Sequence, residues 1–289
     1  RATGLLLFPL SRIITTQPGG ASLLRSPALF FGKVLFVKVL CIGDVVGTAG
    51  IAHLERVLPA VKRENGVDVC IVNGENAADG NGTTPTAADR IFAAGADVIT
   101  GGNHTFRRPE YADWLDTHDT ALRPANFPGD VPGGGIAVVD RGRYAVTVIN
   151  LLGQLYMDAV DNPFFALDRL LESRPRFCIV DFHAEATAEK KALGFYADGR
   201  ISALFGTHTH VQTADEQILP QGTGFITDVG MTGPAVSVLG VCPEQSIRRI
   251  RQKLPTRFTA ADGICRMDGV LFTLDDATGK TVAVTRIAK

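Results

Sequence analysis

Five short polar clusters interrupt this sequence, and each directly follows an apolar run rich in β-branched residues. The clusters are Gly43-Asp44, Gly74-Glu75-Asn76, Gly102-Asn103-His104, Phe182-His183-Ala184-Glu185 and Gly206-Thr207-His208-Thr209-His210. Short apolar runs bounded by turn residues are typical of buried β-strands. In sheets of parallel strands, ligands bind beyond the carboxyl ends of the strands. The sequence therefore predicts an α/β fold with a binding site built from strand ends.

Apolar runs and amphipathic stretches alternate along the rest of the chain, which predicts strands and helices in βαβ order. Strands are expected over 34–42, 67–72, 96–100, 177–182, 201–205, 223–227, 268–274 and 281–287. Helices are expected over 48–64, 86–94, 163–173, 184–193 and 243–252. A Pro/Gly-rich segment, 123–135, precedes two strands, 136–140 and 144–151, expected to be antiparallel. Continuously apolar strands indicate sheets covered on both faces.

The charge of the chain argues against some classes of partner. Its 29 basic and 30 acidic residues give a net charge of -1 over 289 residues. A chain balanced in this way has no overall attraction for duplex nucleic acid or for a membrane surface. No apolar run approaches the roughly 20 residues needed to span a bilayer. We expect neither partner, whereas a small anionic substrate and a homo-oligomer are compatible with the sequence.

The cysteines indicate a reducing compartment. They are five in number and lack C-x-x-C spacing, and Cys41, Cys70 and Cys178 lie inside apolar runs. A thiol in such a run behaves as a small apolar side chain. We therefore expect reduced core cysteines and a cytoplasmic protein.

The beginning of the chain departs from the pattern of the rest. The first 43 residues contain no Asp or Glu but several Arg. This composition resembles that of a transit peptide, and a misassigned start or a cloning remnant would explain it equally. We expect residues 1–32 to be a disordered extension outside a single domain that spans 34–289.

The polar clusters supply side chains that bind metals. A two-metal hydrolytic site needs roughly six to eight nitrogen and oxygen ligands. The candidates are Asp44, Glu75, Asn76, Asn103, His183, His208 and His210. Carboxylate, amide and imidazole ligands without a thiolate favour Mn, Fe, Zn or Co. Because His208 and His210 are two residues apart, an extended segment would point both in the same direction.

Each candidate also has a simpler explanation. Asp44 alone could cap a helix or a turn, and Glu75 with Asn76 could form a solvated loop. His53, in a predicted helix, and His118, in a predicted loop, are interpreted as ordinary polar residues. Five clusters at five strand ends together favour a metal-dependent hydrolase.

Seven ordered motifs resemble those of the YmdB-like phosphodiesterases, within the calcineurin-like metallophosphoesterase superfamily. They read IGDVVG over 42–47, NGENA over 73–77, GNHT over 102–105, RPANFP over 123–128, FHAEAT over 182–187, GTHTH over 206–210 and TDVGMTG over 227–233. The resemblance extends from about residue 39 to the end of the chain, and residues 1–32 lie outside it. It implies a four-layer α/β/β/α sandwich that hydrolyses phosphodiesters, 2′,3′-cyclic nucleotides in particular, at a dinuclear metal centre.

The resemblance also implies a role for each candidate residue. Asp44 and His210, with Asn76, would bind the first ion, and Glu75 would bridge both ions. The second ion would be bound in addition by the side chains Asn103, His183 and His208. His104 would be the proton donor rather than a ligand. Iron or manganese is the expected metal, with zinc and cobalt as alternatives.

The sequence departs from the broader superfamily at two motif positions. Val46 stands where that superfamily usually has the histidine of an Asp-x-His motif, and Glu75 stands in place of a bridging aspartate. The first ion is therefore expected to have one imidazole fewer.

The predicted chemistry is attack of a metal-activated hydroxide on phosphorus while His104 protonates the leaving oxygen. Alternatives that keep the same site are a phosphomonoesterase, an RNA-end hydrolase and a weakly active nucleotide-sensing regulatory protein.

Arg123, Lys191 and Arg200 are candidates for neutralising phosphate, although each could equally be a surface cation. Asp228 is a candidate for orienting a ligand histidine.

Overall fold

The computed structural model describes residues 35–79 and 81–289. Its helices are α1 (Gly47–Asn65), α2 (Pro85–Ala94), α3 (Pro109–Leu115), α4 (Pro163–Leu170), α5 (Thr187–Ala197) and α6 (Pro243–Gln252). Its strands are β1 (Phe36–Ile42), β2 (Asp44–Val45), β3 (Val69–Asn73), β4 (Val98–Thr100), β5 (Ile136–Asp140), β6 (Ala145–Leu152), β7 (Phe177–His183), β8 (Ala203–Thr207), β9 (Gln217–Ile218), β10 (Gly224–Ile226), β11 (Met231–Pro234), β12 (Cys265–Asp275) and β13 (Thr281–Ala288). The extension expected over 1–32 lies outside the described residues.

The strands form two sheets. One has the order β2-β11-β12-β1-β3-β4, with β13 also paired to β12, and the other has the order β5-β6-β7-β8-β10-β9. In the first sheet, β1, β3 and β4 are parallel, and β12 is antiparallel to β1. In the second, β6, β7, β8 and β10 are parallel, and β5 pairs with β6 in the antiparallel direction that the sequence predicts.

Alternate side chains of each central strand pack into different layers of the core. In β1, Leu40 and Ile42 pack against helices α1 and α2, whereas Val39 and Cys41 pack between the sheets. In β7, Phe177 and Ile179 pack between the sheets, whereas its other apolar side chains pack against α4 and α5. This two-residue period produces three apolar layers. The predicted four-layer α/β/β/α sandwich is confirmed.

The cores also account for the predicted buried cysteines. Cys70 packs under the helices of the first sheet, Cys41 lies between the sheets, and Cys178 lies under the helices of the second sheet. All three are free thiols and are buried. Burial raises the pKa of the Cys70 and Cys178 thiols to about 12, so both are protonated at neutral pH. The cytoplasmic location stays a prediction.

The α5 helix begins three residues later than the predicted helix over 184–193. Residues 184–186 leave the end of β7 in a loop, and the helix begins at Thr187 and continues to Ala197. Helix α3 and the short strands β2, β9 and β11 were not predicted from the sequence. A two-residue strand has too few alternating positions to give a periodic signal.

Among the described residues, no helix has both the length and the apolar character that a membrane span requires.

Candidate metal centre

The carboxyl ends of strands from both sheets meet at one edge of the sandwich. Strands β1, β3 and β4 of the first sheet lead into the loops with Asp44, Glu75 and Asn103. Strands β7 and β8 of the second sheet end at His183 and just before His208. Parallel pairing within each sheet brings these ends to the same edge. The structure therefore brings the five polar clusters together.

One group of side chains converges around His183, which is fully buried. Its Nε2 atom lies 3.2 Å from Glu75 Oε1, 3.1 Å from Asn103 Oδ1 and 3.1 Å from His208 Nδ1. Ligand atoms of Glu75, His183 and His208 all lie within 4.8 Å of one another. These four residues are the ones that the resemblance assigns to the second ion.

A second group surrounds Asp44, which is also fully buried. Asp44 Oδ2 lies 3.3 Å from His210 Nε2 and accepts a hydrogen bond from the backbone N–H of His208 at 2.9 Å. Asn76 Nδ2 lies 3.3 Å from His210 Nε2 and donates to Glu75 Oε1 at 2.9 Å. Asp44, Asn76 and His210 are thus adjacent, and Glu75 lies between this group and the first.

The hydrogen-bonding capacity of the site fits a bound cation. Asp44 Oδ1 is buried and has no hydrogen-bond partner among the described residues. His183 Nε2 faces three polar atoms, although an imidazole nitrogen carries either one proton or one lone pair. Buried polar atoms left in this way are costly unless a cation or a proton compensates them. The donor set therefore matches a divalent metal site with oxygen and nitrogen ligands.

The structure corrects the expectation that His208 and His210 lie in an extended segment. Their φ angles are +98° and +61°, in the left-handed region that non-glycine residues rarely adopt. His208 faces His183, whereas His210 faces Asp44. The two rings therefore reach the two different groups of side chains, because the chain turns after β8 instead of continuing as a strand.

The two carboxylates of the site have opposite pKa shifts. Burial raises the pKa of Asp44 to about 6, and the nearby rings of His210 and His183 only partly oppose this shift. Burial also acts to raise the pKa of Glu75, but His183 and His104 outweigh it and hold that pKa well below its usual range. Glu75 is thus the more strongly stabilised anion.

The two facing imidazoles are also shifted in opposite directions. Burial disfavours a charged His183, but the carboxylates of Glu75, Asp44 and Asp181 outweigh this and raise its pKa to about 9. Burial and the neighbouring His183 cation lower the pKa of His208 to about 3. His208 is therefore neutral at neutral pH and ready to act as a ligand.

His104 lies at the edge of this centre and lines a cavity of about 360 Å³. Its Nδ1 atom is 3.1 Å from Asn76 Oδ1 and 3.4 Å from Glu75 Oε1. Its backbone N–H donates to Glu75 Oε2 at 3.0 Å. The ring is thus held by Asn76 and Glu75 while remaining accessible from the cavity.

Other residues singled out in the sequence lie away from the cavity. Arg123 donates to backbone carbonyls of Pro124 and Pro132, Lys191 pairs with Asp215, and Arg200 pairs with Asp168. None of these three cations lines the cavity. His53 contacts the Lys289 carbonyl oxygen, and His118 stacks on Trp114.

Asp228 contacts the loop that carries His208 and His210 rather than their rings. Its Oδ2 atom accepts hydrogen bonds from the backbone N–H and the hydroxyl of Thr209, at 3.1 and 2.8 Å. It also accepts from Lys190 Nζ at 2.8 Å. Asp228 therefore positions the backbone between His208 and His210, which differs from direct orientation of a histidine ring.

Two contacts of the site were not anticipated. Glu185 Oε2 lies 3.2 Å from His208 Nε2 and lines the cavity. His210 Nδ1 lies 3.0 Å from the backbone carbonyl of Leu239, in the long connection between β11 and β12. Glu185 belongs to a polar cluster visible in the sequence, whereas a backbone carbonyl leaves no signal there.

Comparison with known proteins gives close relatives over most of the chain. A curated Bacillus subtilis (strain 168) protein named 2′,3′-cyclic-nucleotide 2′-phosphodiesterase is 46% identical over 254 residues, which cover 87% of this chain and 96% of the relative. A crystal structure of a hypothetical protein from Thermus thermophilus has a TM-score of 0.83 at 38% identity, and the match covers 88% of this chain and 99% of that one. A structure described as a novel phosphatase from Mycoplasma pneumoniae also has a TM-score of 0.83, at 35% identity, over 89% of this chain and 94% of that one.

The family model described as YmdB-like protein matches residues 40–287. This range begins within β1 and ends within β13, so it includes all the strand-end clusters. The resemblance found in the sequence motifs is confirmed. The chain belongs to the YmdB-like protein family.

Proposed function

We propose that this protein is a metal-dependent phosphodiesterase that hydrolyses small phosphodiesters, with 2′,3′-cyclic nucleotides as its main substrates. The observation that carries the proposal is the convergence of two buried carboxylates and three imidazoles beside a cavity that Glu75, His208 and His210 line, with Asp44 Oδ1 left without a hydrogen bond among the described residues. The name of the Bacillus subtilis relative, at 46% identity, supports the choice of substrate.

Two divalent ions are the cofactors in this proposal. Asp44, Asn76 and His210 would hold one of them, and Asn103, His183 and His208 would hold the other. Glu75 would contact both, which its position between the two groups of ligands supports. Iron or manganese suits this mixture of carboxylate, amide and imidazole donors, and zinc and cobalt are the alternatives.

The ions, when bound, would neutralise charge on the phosphate and lower the pKa of a nearby water molecule. The residues of the chain would position the substrate phosphate at the metal centre and donate a proton to the leaving oxygen. His104 is the candidate donor. Its Nδ1 faces the oxygens of Asn76 and Glu75, which favours a proton on Nδ1 and leaves Nε2 for the substrate.

Glu75 supports this role of His104 through its position. Its Oε1 atom lies 3.4 Å from Nδ1 and holds that side of the ring, and donation from Nε2 requires a ring that carries a proton on both nitrogens. General acid catalysis of this kind contributes roughly 10² to 10⁴ in rate. The leaving oxygen would take the Nε2 proton, and the ring would return to its neutral form.

The lining of the cavity suits a mononucleotide. Polar side chains of the centre and apolar side chains both contribute to it: Glu75, Asn76, His104, His208, His210, Leu239, Val241 and Phe258. Phe258 is 46% exposed, so its ring is available for stacking on a base. A volume of about 360 Å³ lies in the range of small-molecule sites.

The substrate assignment is tested by comparing kcat/KM for 2′,3′-cyclic AMP, a phosphomonoester and a short RNA with a 3′-phosphate, all with Mn²⁺ present. We expect the cyclic nucleotide to be hydrolysed most efficiently. A higher kcat/KM for the monoester or the RNA would replace this substrate by one of those classes. Very slow turnover of all three, combined with tight nucleotide binding, would indicate a sensing protein instead.

A further inference from the structure

A buried hydrogen-bond network lies beneath the candidate metal centre, and its central residue is Asp181. Asp181 is in β7, two residues before His183, and its side chain is fully buried. Asn73, in β3 of the other sheet, and Thr207, at the end of β8, contact it and are fully buried too. The network therefore joins the two sheets directly below the ligand residues.

The direction of the hydrogen bonds between Asn73 and Asp181 follows from a neighbouring group that can only donate, the backbone N–H of Glu75. The backbone N–H of Glu75 donates to Asn73 Oδ1 at 3.1 Å, which assigns the oxygen of that amide. The Nδ2 atom of Asn73 must then donate, and it faces Asp181 Oδ2 at 3.0 Å and the Gly101 carbonyl at 3.2 Å. The Thr100 hydroxyl also donates to Asp181 Oδ2. Asp181 is thus the acceptor of this part of the network.

The remaining bonds lead from Asp181 to a ligand histidine. The single hydroxyl proton of Thr207 is donated to Asp181 Oδ1 at 2.7 Å. The same hydroxyl oxygen lies 2.9 Å from His183 Nδ1, and at this point it can only accept. His183 must therefore carry a proton on Nδ1. The nitrogen that faces Glu75, Asn103 and His208 is Nε2, so in the neutral form of the ring Nε2 is the atom with the lone pair.

We propose that Asp181 is a positioning residue that acts through Thr207 to fix His183 in the tautomer with Nδ1 protonated, so that Nε2 can bind a metal. This inference rests on the proposed function, because it assigns His183 as a ligand. Residues that hydrogen-bond to a ligand histidine change metal affinity by about 10-fold to 100-fold in other sites. Asp181 differs from the usual case because a hydroxyl group stands between it and the imidazole.

The variant Asp181→Asn tests the direction of the network. Asn73 Nδ2 can only donate, so the carbonyl oxygen of the new amide would face Asn73. Its NH₂ group would then face Thr207 and donate to the hydroxyl oxygen. Thr207 would turn its own proton toward His183 Nδ1, which would leave the proton of the neutral ring on Nε2, where the metal should bind.

The experiment measures Mn²⁺ dissociation constants of the full chain by chelator competition, for wild type, Asp181→Asn, Thr207→Val and Thr207→Ser. We expect Asp181→Asn and Thr207→Val to weaken binding by about 10-fold to 100-fold. Thr207→Ser retains the hydroxyl group and should bind within about threefold of wild type. Thermal unfolding of the metal-free variants checks that they are folded. If Asp181→Asn does not fold, Thr207→Val still tests the inference, because a valine side chain has nearly the same size as the threonine side chain that it replaces.

A second readout identifies the tautomer directly. In Zn²⁺-loaded protein with ¹⁵N-labelled histidine, long-range proton–nitrogen spectra should show that His183 of the wild type is protonated on Nδ1. Mn²⁺ binding that is equal in all folded variants, or a wild-type ring without the Nδ1 proton, would overturn the inference alone. Wild-type protein that binds no divalent metal would overturn the proposed function and this inference together.

Discussion

Lys190 Nζ donates to Asp228 Oδ2 over 2.8 Å, and both side chains are fully buried. Asp228 also accepts two hydrogen bonds from Thr209, between the two histidines of the β8 loop. Its other oxygen accepts from the backbone N–H of Gly230 at 2.9 Å. The ion pair thus holds a loop in which His208 and His210 both have positive φ. Backbone strain of this kind persists only where surrounding contacts fix it.

Removal of Lys190 should therefore weaken both the fold and the site. Lys190→Met leaves the Asp228 carboxylate buried without its cation, and the loss of one partner of a buried pair costs about 3 to 5 kcal/mol. We expect the free energy of unfolding in urea to fall by that amount and Mn²⁺ affinity to fall with it. As the control, Lys191→Met removes a partly exposed lysine that pairs with Asp215, and it should change stability by less than about 1 kcal/mol. Equal stability of Lys190→Met and wild type would contradict the role of the pair.

Gly102→Ala should weaken metal binding. A Cβ atom at this position would overlap with Glu75 Oε2 and His183 Nε2, so both side chains would have to move. We expect Mn²⁺ affinity to fall at least about 10-fold, because changes that disturb the orientation of metal ligands cause losses of this size at other sites. Gly129→Ala is the matched control, since a Cβ there meets no atom within 4 Å. An affinity of Gly102→Ala equal to that of the control would show that Gly102 does not border the metal.

Metal affinity should rise with pH. The pKa of His183 is raised to about 9, so the metal-free ring is protonated at neutral pH and must lose a proton before Nε2 binds a cation. His208 has a pKa of about 3, so its ring is already neutral and has no proton to lose when a metal binds. Below pH 9, apparent Mn²⁺ affinity should therefore increase about tenfold for each pH unit. Chelator competition from about pH 6.5 to 9 measures this slope. A flat profile would mean that His183 is neutral in the metal-free protein.

Glu75→Gln should reduce metal content and turnover together. Glu75 Oε1 faces the Asn76 amide on one side and His183 on the other, so the substitution removes an anion from both groups of ligands. We expect fewer bound ions per chain by elemental analysis and a parallel loss of phosphodiesterase activity. Full metal occupancy in the variant would rule out a bridging role for Glu75.

The layers of the fold could be predicted because they depend on local patterns. Strands such as β1, β3 and β7 are mostly apolar, and a polar cluster at or after the end of each one marks where it ends. The motif resemblance supplied the four-layer arrangement, and the alternating burial along β1 and β7 explains it. The sequence alone could not show the start of α5, because Ala184 and Ala186 suit a helix as well as a loop.

The site could be predicted as a set of side chains but not as a geometry. The loop after β8 was expected to be extended, and its turn depends on Asp228 and on Lys190, which approach from other elements. The role inferred for Asp181 depends on Asn73, 108 residues earlier in the chain. Such contacts between distant segments have no local signature, although a single aspartate within the apolar run of β7 was a visible clue.

The most direct test of the account is the rate of 2′,3′-cyclic AMP hydrolysis by the full chain after removal of metal with a chelator and after addition of Mn²⁺, beside the His104→Ala variant. We predict that activity appears only with metal, and that the variant loses about 10² to 10⁴ in kcat. The variant should retain its Mn²⁺ content, because His104 is placed as a proton donor and not as a ligand. No turnover in a wild-type protein that binds Mn²⁺, or full turnover in the variant, would contradict the account.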